Sequence, residues 1–91
     1  MSFACTVVTP EQEIFDQAAT QVILPAFDGQ LGILTHRAPM LAKLGKGSLR
    51  IDPASGRTLY FQIEGGVAQM KDNKLTIVTN KAVASESPRQ S

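Results

Sequence analysis

The sequence predicts an all-β domain, folded as an antiparallel sandwich or barrel of short strands. Apolar and polar residues alternate in short segments, most clearly in the run Leu-Tyr-Phe-Gln-Ile-Glu at residues 59–64. An alternation of period two is typical of a strand with one side in water. Glycine, proline, asparagine and aspartate recur between these segments, where turns are expected. The best helical candidate is residues 38–44, with Pro39 in the first turn; the segment is short and ends at Gly45, so one turn of helix is predicted.

A first hairpin is predicted from residues 48–52 and 59–64. They flank the sequence Pro53-Ala54-Ser55-Gly56, whose residues favour a tight turn. In each strand the apolar residues fall at alternate positions, so they face one side of the sheet. The residues of this hairpin predicted to face the core are Leu49, Ile51, Leu59, Phe61 and Ile63.

A second hairpin is predicted from residues 67–70 and 75–79, with Leu75 and Ile77 facing the core. The connecting residues are Lys-Asp-Asn-Lys, and aspartate and asparagine tolerate the positive φ that hairpin turns demand. The pair Gly65-Gly66 separates the two hairpins and indicates a bulge or a sharp corner.

Three further strands are expected upstream, at residues 3–8, 20–24 and 30–34. The first two are rich in β-branched residues, and each is followed by a proline that limits its extension. With 91 residues, the chain has enough material for one hydrophobic core. We assign residues 1–84 to one β-sandwich domain and residues 85–91, which are polar, to a tail without stable structure.

Composition excludes several classes of protein. The net charge is +1 and the basic residues are scattered, so neither a nucleic-acid surface nor an anionic-lipid surface is expected. The single cysteine, Cys5, cannot form an internal disulfide, and its apolar surroundings in sequence predict burial rather than reactivity. No apolar run approaches the length of about 18 residues needed to span a membrane.

The sequence offers no constellation of catalytic residues. His36 is the only histidine, which leaves no metal cluster and no Ser-His-Asp arrangement to build. The run Gly45-Lys46-Gly47-Ser48 lacks the spacing of a phosphate-binding loop and is better explained as a turn between strands. We therefore predict a non-catalytic protein without a cofactor or metal.

The segment from Phe27 to Leu41 has two readings from its residues alone. Its glycines permit unusual backbone angles or close approach, and its apolar residues do not alternate as in a one-sided strand. One reading is a core strand with its connecting loop, which must hold for Leu31 and Ile33. The other is a fixed loop that presents Arg37, Met40 and Leu41 to a partner protein. The residues alone favour neither.

Nearly the whole chain resembles the epsilon subunit of F-type ATP synthases, and every matching piece is in order. The matching segments are Val7-Val8-Thr9-Pro10-Glu11, Ile14-Phe15-Asp16, Pro25, the run Gly29-Gln30-Leu31-Gly32-Ile33-Leu34-Thr35-His36-Arg37-Ala38-Pro39-Met40-Leu41, Leu44-Gly45-Lys46-Gly47, Leu49-Arg50-Ile51, Gly65-Gly66, Lys71-Asp72-Asn73, Thr76-Ile77-Val78 and Ala82-Val83-Ala84. No single segment is decisive, whereas the ordered set is highly specific.

The resemblance implies a β-sandwich of about ten short strands and a place in the central stalk of the synthase. Such a subunit binds the gamma subunit and the c-ring, is not itself an enzyme, and helps couple ion flow to ATP synthesis. It would lie at the cytoplasmic face of a bacterial inner membrane and touch the membrane only through the complex. The partner-binding residues implied are Thr9, Gln30, Leu31, Arg37, Ala38, Pro39, Met40, Leu41 and Ala42.

The sequence departs from the family pattern at two loop positions. Gln30 replaces a glutamate, and Arg37 takes the place of a histidine. One carboxylate is lost and one permanent cation is gained, so an ion pair assumed from the family need not form here. The contact itself could survive, because arginine suits bidentate pairing with a carboxylate of a partner.

Most family members continue beyond the Ala82-Val83-Ala84 match into two helices that regulate ATP hydrolysis and in some species bind ATP. This chain ends within a few polar residues, which favours a naturally tailless form over an isolated domain and predicts a rotor subunit without the inhibitory helices. The alternative function is a stand-alone β-barrel adaptor for protein or single-stranded nucleic acid. That adaptor would need exposed aromatic residues in a basic groove, and the chain has four Phe, one Tyr and no Trp.

Overall fold

Nine β-strands make up the fold in the computed structural model, which describes residues 1–85. None of the described residues form a helix long and apolar enough to cross a membrane. The strands are β1 (Phe3–Val8), β2 (Glu13–Ala26), β3 (Gly29–Leu34), β4 (Met40–Lys43), β5 (Lys46–Pro53), β6 (Leu59–Glu64), β7 (Val67–Lys71), β8 (Lys74–Val78) and β9 (Ala82–Ser85).

The long strand β2 connects two halves of the fold. Its first part pairs with β1, and its second part pairs with β3 on one edge and β5 on the other. The register against β5 shifts between Ala19 and Gln21, which is where β2 passes from one half to the other. The strand order is β4-β7-β8-β1-β2 in one half and β3-β2-β5-β6-β9 in the other. Because β2 contributes to both, the nine strands among residues 1–85 supply about ten strand segments, and the predicted all-β class is confirmed.

One pairing departs from the antiparallel pattern. Strands β1 and β8 run parallel, with Cys5 opposite Leu75 and Val7 opposite Ile77. These four side chains are buried, so the parallel pair lies at the centre of its half of the fold. Parallel strands require a long connection, and here the whole of the chain between β1 and β8 provides it.

Alternate residues of both halves form a single hydrophobic core. The apolar members with the least exposure include Phe3, Val22, Leu24, Ile33 and Met70. Cys5 is buried in the same cluster, as its sequence context predicted. Of the residues predicted to face the core, those that are buried are Leu49, Ile51, Ile63, Leu75 and Ile77.

The prediction was wrong for Leu59, and Phe61 is less buried than a core residue. Leu59 is the first residue of β6, beside the turn, and its side chain is 36% exposed. Phe61 is half-buried and packs against the edge of the core. Alternation predicts which face of a strand a residue occupies. A residue at the end of the strand, or beside a small side chain of the neighbouring strand, nevertheless remains accessible to solvent on that face.

Both predicted hairpins are confirmed, since β5 pairs with β6 and β7 with β8 in antiparallel register. In the second turn Asp72 and Asn73 have φ of 54° and 58°, the left-handed values expected for that turn. The predicted corner at Gly65-Gly66 is also present, with φ of 70° and 116°. The hydroxyl of Thr79, a buried residue, donates to the Gly65 carbonyl at 2.7 Å and fixes this corner.

The helical turn predicted at residues 38–44 is wrong. The segment contains β4 instead, with Met40 opposite Met70 and Ala42 opposite Ala68 on β7. Pairing with β7 satisfies backbone groups and places Met40 against the core, and these non-local contacts outweigh the weak local preference for helix. At the chain end, Ser85, assigned above to the tail, is the last residue of β9, and residues 86–91 lie outside the described range.

Candidate partner-binding surface

The predicted partner-binding residues, apart from Thr9, lie on β3, on β4 and on the loop that joins them. Gln30 and Leu31 belong to β3, and Met40 to Ala42 belong to β4. Among the described strands, β3 pairs with β2 alone and β4 pairs with β7 alone. The two strands therefore lie at edges of the fold, where their side chains can meet another molecule.

A groove with a volume of about 370 Å³ lies between the two strands. Its two most exposed apolar side chains are Phe27 and Leu41, which are 71% and 72% exposed. The lining residues are Ala26, Phe27, Asp28, Gln30, Leu31, Leu41, Ala42 and Lys43. We refer to it as the β3–β4 groove.

One end of the β3–β4 groove is held by contacts between the end of β2 and the end of β4. The Phe27 amide donates to the Lys43 carbonyl at 2.8 Å, and the Gly45 amide donates to the Pro25 carbonyl at 2.8 Å. The Lys43 ammonium lies 4.9 Å from the centre of the Phe27 ring, within the range of a cation–π contact. The aromatic ring and the cation are therefore presented together.

The loop between β3 and β4 is fastened to the β7–β8 turn. The His36 amide donates to Oδ1 of Asn73 at 2.7 Å, and Nδ2 of Asn73 donates to the Ser2 carbonyl at 3.1 Å. His36 has a φ of 60°, a conformation that a non-glycine residue adopts at some cost and that this hydrogen bond helps to hold. The position of Arg37, the next residue, is thereby fixed relative to the sheet.

The Arg37 side chain reaches from the loop to both strands. Its Nη1 donates to the Gly32 carbonyl on β3 at 3.4 Å, and its Nε lies 3.3 Å from the Met40 sulfur on β4. Among residues 1–85, the ion pair present joins Arg50 to Asp52 on another part of the surface. Within that range Arg37 and Lys43 thus have no carboxylate partner.

Thr9 does not join this surface. It is 7% exposed and lies in the turn between β1 and β2, where its hydroxyl donates to the Gln12 carbonyl at 3.1 Å and accepts from the Gln12 amide at 3.3 Å. Its side chain is thus engaged within the turn. Ala38 and Pro39 are exposed in the loop, while Met40 is half-buried against the core.

Sequence reasoning missed four residues of the groove, namely Ala26, Phe27, Asp28 and Lys43. Three of them lie just before β3, and Lys43 is the last residue of β4. Their involvement depends on the hydrogen bond between Phe27 and Lys43, which joins residues far apart in sequence. A phenylalanine immediately before the turn residues Asp28-Gly29 was the one available signal.

Comparison with known proteins agrees with this fold. Residues 2–85 match the family described as the beta-sandwich domain of the ATP synthase Delta/Epsilon chain. The ATP synthase epsilon chain of Rhodopirellula baltica is 46% identical over 83 residues, covering 91% of this chain and 64% of that relative. The chloroplastic ATP synthase epsilon chain of Emiliania huxleyi is 42% identical over 82 residues, covering 90% of this chain and 62% of that relative.

A structural match extends the likeness. A chain in the cryo-EM structure of the Euglena gracilis mitochondrial ATP synthase, OSCP/F1/c-ring in rotational state 1, superposes with a TM-score of 0.85 at 21% identity. The match covers 91% of this chain and 53% of that one. At this level of identity it shows a shared fold.

The fold and the family match together define a β-sandwich domain of the kind found in rotary ATP synthases. The chain belongs to the ATP synthase delta/epsilon family. It spans 62–64% of the length of the curated relatives described above.

Proposed function

We propose that the chain is a central-stalk subunit of an F-type ATP synthase, which binds the gamma subunit and the c-ring and helps couple ion flow to ATP synthesis. The observation that carries this proposal is the family match over residues 2–85, found in a chain in which four predicted partner-binding residues line one exposed groove, namely Gln30, Leu31, Leu41 and Ala42. Its contribution is binding and transmission of torque, with no catalytic step of its own. The place that this role implies is the cytoplasmic face of a bacterial inner membrane, reached through the complex.

The structure of the β3–β4 groove supports such a role physically. A subunit that transmits rotation needs a rigid binding surface. Here the hydrogen bond from His36 to Asn73 holds the loop carrying Arg37 against the β7–β8 turn. Large exposed apolar residues beside cations are typical of a protein interface rather than of a solvated surface. We place the contact with the rotor at Gln30, Leu31 and residues 37–42, together with Phe27, Asp28 and Lys43.

Co-purification with gamma and the c-ring tests the proposal. We expect the parent chain to be retained by gamma and the c-ring from which the resident epsilon chain has been removed. The variant Arg37→Glu should bind more weakly by about 1–3 kcal/mol, because it reverses a charge at the contact while leaving the core untouched. Arg57→Glu is the matched control, since Arg57 is an exposed arginine between β5 and β6, two strands that contribute no residue to the groove.

Two results would reject the assignment at different levels. If the parent chain does not associate with gamma or the ring, the function is wrong. If the parent binds but Arg37→Glu binds equally well, or no more weakly than Arg57→Glu, then the surface has been placed wrongly. Circular dichroism of both variants should match that of the parent, since both substituted residues are exposed.

A further inference from the structure

We propose that the β3–β4 groove binds a short extended segment of the rotor that places carboxylate groups against Arg37 and Lys43 and an apolar side chain between Phe27 and Leu41. The inference rests on the proposed function and specifies the chemistry of the partner segment. It is specific to this chain, because Gln30 and Arg37 give the surface a charge that the family pattern does not predict.

Lys43 lines the groove at the end of β4, whereas Arg37 does not line it and lies beside the start of β4. Arg37 reaches the Gly32 carbonyl on β3 and the Met40 sulfur at the start of β4, whereas Lys43 is the last residue of β4 and lies over Phe27. Met40 and Lys43 are three residues apart in a strand, which corresponds to about 10 Å. The distance suits about three residues of extended chain. A carboxylate at each end of such a segment fits this spacing.

The balance of charge in the groove favours an acidic partner. Asp28 is the single carboxylate among the lining residues, and Gln30 is neutral. Neither Arg37 nor Lys43 is paired with a carboxylate within the part of the chain that the structure describes. An arginine held in place offers two parallel N–H groups to a carboxylate, a geometry that lysine does not provide. Arg37 is therefore expected to contribute more to orientation than Lys43.

The apolar walls explain why a side chain should enter between the charges. Phe27 and Leu41 are more than two-thirds exposed, and covering them removes apolar surface from water. Phe27 already has Lys43 over its ring, so a carboxylate that approaches Lys43 also comes close to the aromatic wall. Apolar burial would supply most of the affinity, and the charges would select the partner.

An anionic membrane surface fits these residues less well than a protein. Proteins that bind acidic lipids by electrostatic attraction alone use clusters of about four to eight basic residues. Here two cations flank a groove that also contains Asp28, and the net charge of the whole chain is +1. A defined carboxylate on a protein segment matches so few charges better.

The test measures affinity for a complex of gamma and the c-ring without its epsilon chain, at about 50 mM and about 500 mM salt. The double variant Arg37→Gln/Lys43→Gln removes both charges while keeping side chains of polar character. The matched control is Arg57→Gln/Lys81→Gln, which removes two exposed cations that neither line the groove nor lie in the turn holding its loop. A third variant, Leu41→Ser, removes one apolar wall. Thermal unfolding of each variant verifies that the fold is retained.

At low salt we expect the groove double variant to bind roughly 2- to 25-fold more weakly than the parent, since each exposed ion pair is worth a factor of about 1.4 to 5. At high salt the difference should shrink, because the screening length falls to about 4 Å. The control should bind within about twofold of the parent, and Leu41→Ser should bind more weakly at both salt concentrations. That pattern would support the inference.

Three outcomes would overturn it. Equal binding of the parent and the groove double variant at low salt, with Leu41→Ser still weakened, would reject the carboxylate partner and leave the proposed function intact. A control as weak as the groove variant would show that only overall charge matters. Binding of the parent to vesicles of phosphatidylglycerol and phosphatidylcholine, lost in the groove variant, would assign the cations to lipid. Failure of the parent to bind the rotor would instead reject the proposed function itself.

Discussion

Replacement of Gly66 by alanine should destabilise the fold far more than the same replacement at Gly56. Both glycines have a φ forbidden to most L-residues, 116° at Gly66 and 108° at Gly56. The surroundings differ. A Cβ at Gly66 would lie 2.7 Å from the Thr79 Cα and even closer to the Val78 carbonyl oxygen, whereas a Cβ at Gly56 would meet nothing within 4 Å.

The magnitude follows from that difference. Backbone strain at such a φ costs about 1–3 kcal/mol for either substitution. At Gly66 the added methyl group also pushes against backbone atoms of the neighbouring chain segment, and overpacking of that kind adds about 1–3 kcal/mol. We therefore expect a loss of about 2–6 kcal/mol for Gly66→Ala and about 1–3 kcal/mol for Gly56→Ala. A domain of this size has about 5–14 kcal/mol of stability in total.

Urea unfolding followed by circular dichroism measures both losses. The slope of the free energy against urea should be the same for both variants and the parent, so the midpoints report stability directly. The reasoning would be refuted if the two variants lost the same free energy, because the close approach between Gly66 and Thr79 would then contribute nothing. It would equally fail if Gly66→Ala were as stable as the parent.

Two further predictions concern the core. Phe61→Ala should cost less than the roughly 3–5 kcal/mol expected for a fully buried phenylalanine, because Phe61 is half-buried, and a urea titration that gave a larger loss would mean that the ring is fully enclosed. Burial raises the pKa of the Cys5 thiol to about 12, with the nearby Asp16 carboxylate acting in the same direction. At pH 8 the native thiol should therefore resist Ellman's reagent and react fully in urea. Between the ordinary pKa of a thiol and about 12, Cys5 is deprotonated in the unfolded chain and still protonated in the native one. Cys5 therefore stabilises the fold at pH values below the ordinary thiol pKa, and this contribution is lost as the pH rises towards 12. Rapid labelling of the native protein at pH 8 would contradict both its burial and its raised pKa.

Local chemistry in the sequence was enough to predict the two hairpins. Their strands alternate regularly, and Asp72 and Asn73 supply the φ that the second turn requires. The corner at Gly65-Gly66 was predictable for the same reason, since glycine is the residue that tolerates its backbone angles. In each case the determining residues are neighbours in the chain.

The features that were missed depend on residues far apart in sequence. The first part of β2 contains the exposed residues Asp16, Gln17 and Ala18, which give no strand pattern, and it is extended because it pairs with β1. Strand β4 was predicted as a helical turn and is extended because β7 lies beside it. The parallel pairing of β1 with β8 has no local signal at all.

The candidate surface was predicted in part for the same physical reason. The residues between Gln30 and Ala42 could be selected because they lie in one continuous segment with a family resemblance. The contribution of Phe27 and Lys43 appears only after the end of β2 is hydrogen-bonded to the end of β4. Thr9, in a separate matching segment near the start of the chain, was also selected by resemblance, yet its hydroxyl is hydrogen-bonded within the β1–β2 turn.

Site-specific photo-crosslinking tests the central claim most directly. A photoreactive phenylalanine analogue would replace Leu41, in the β3–β4 groove, or Val83, an exposed apolar residue on β9 that is 51% exposed. Each variant would be assembled with gamma and the c-ring and illuminated. The account predicts a crosslink to a rotor subunit from position 41, at a peptide that contains an aspartate or glutamate. A rotor assembly that forms normally but yields no crosslink from position 41, while position 83 reacts efficiently, would contradict it.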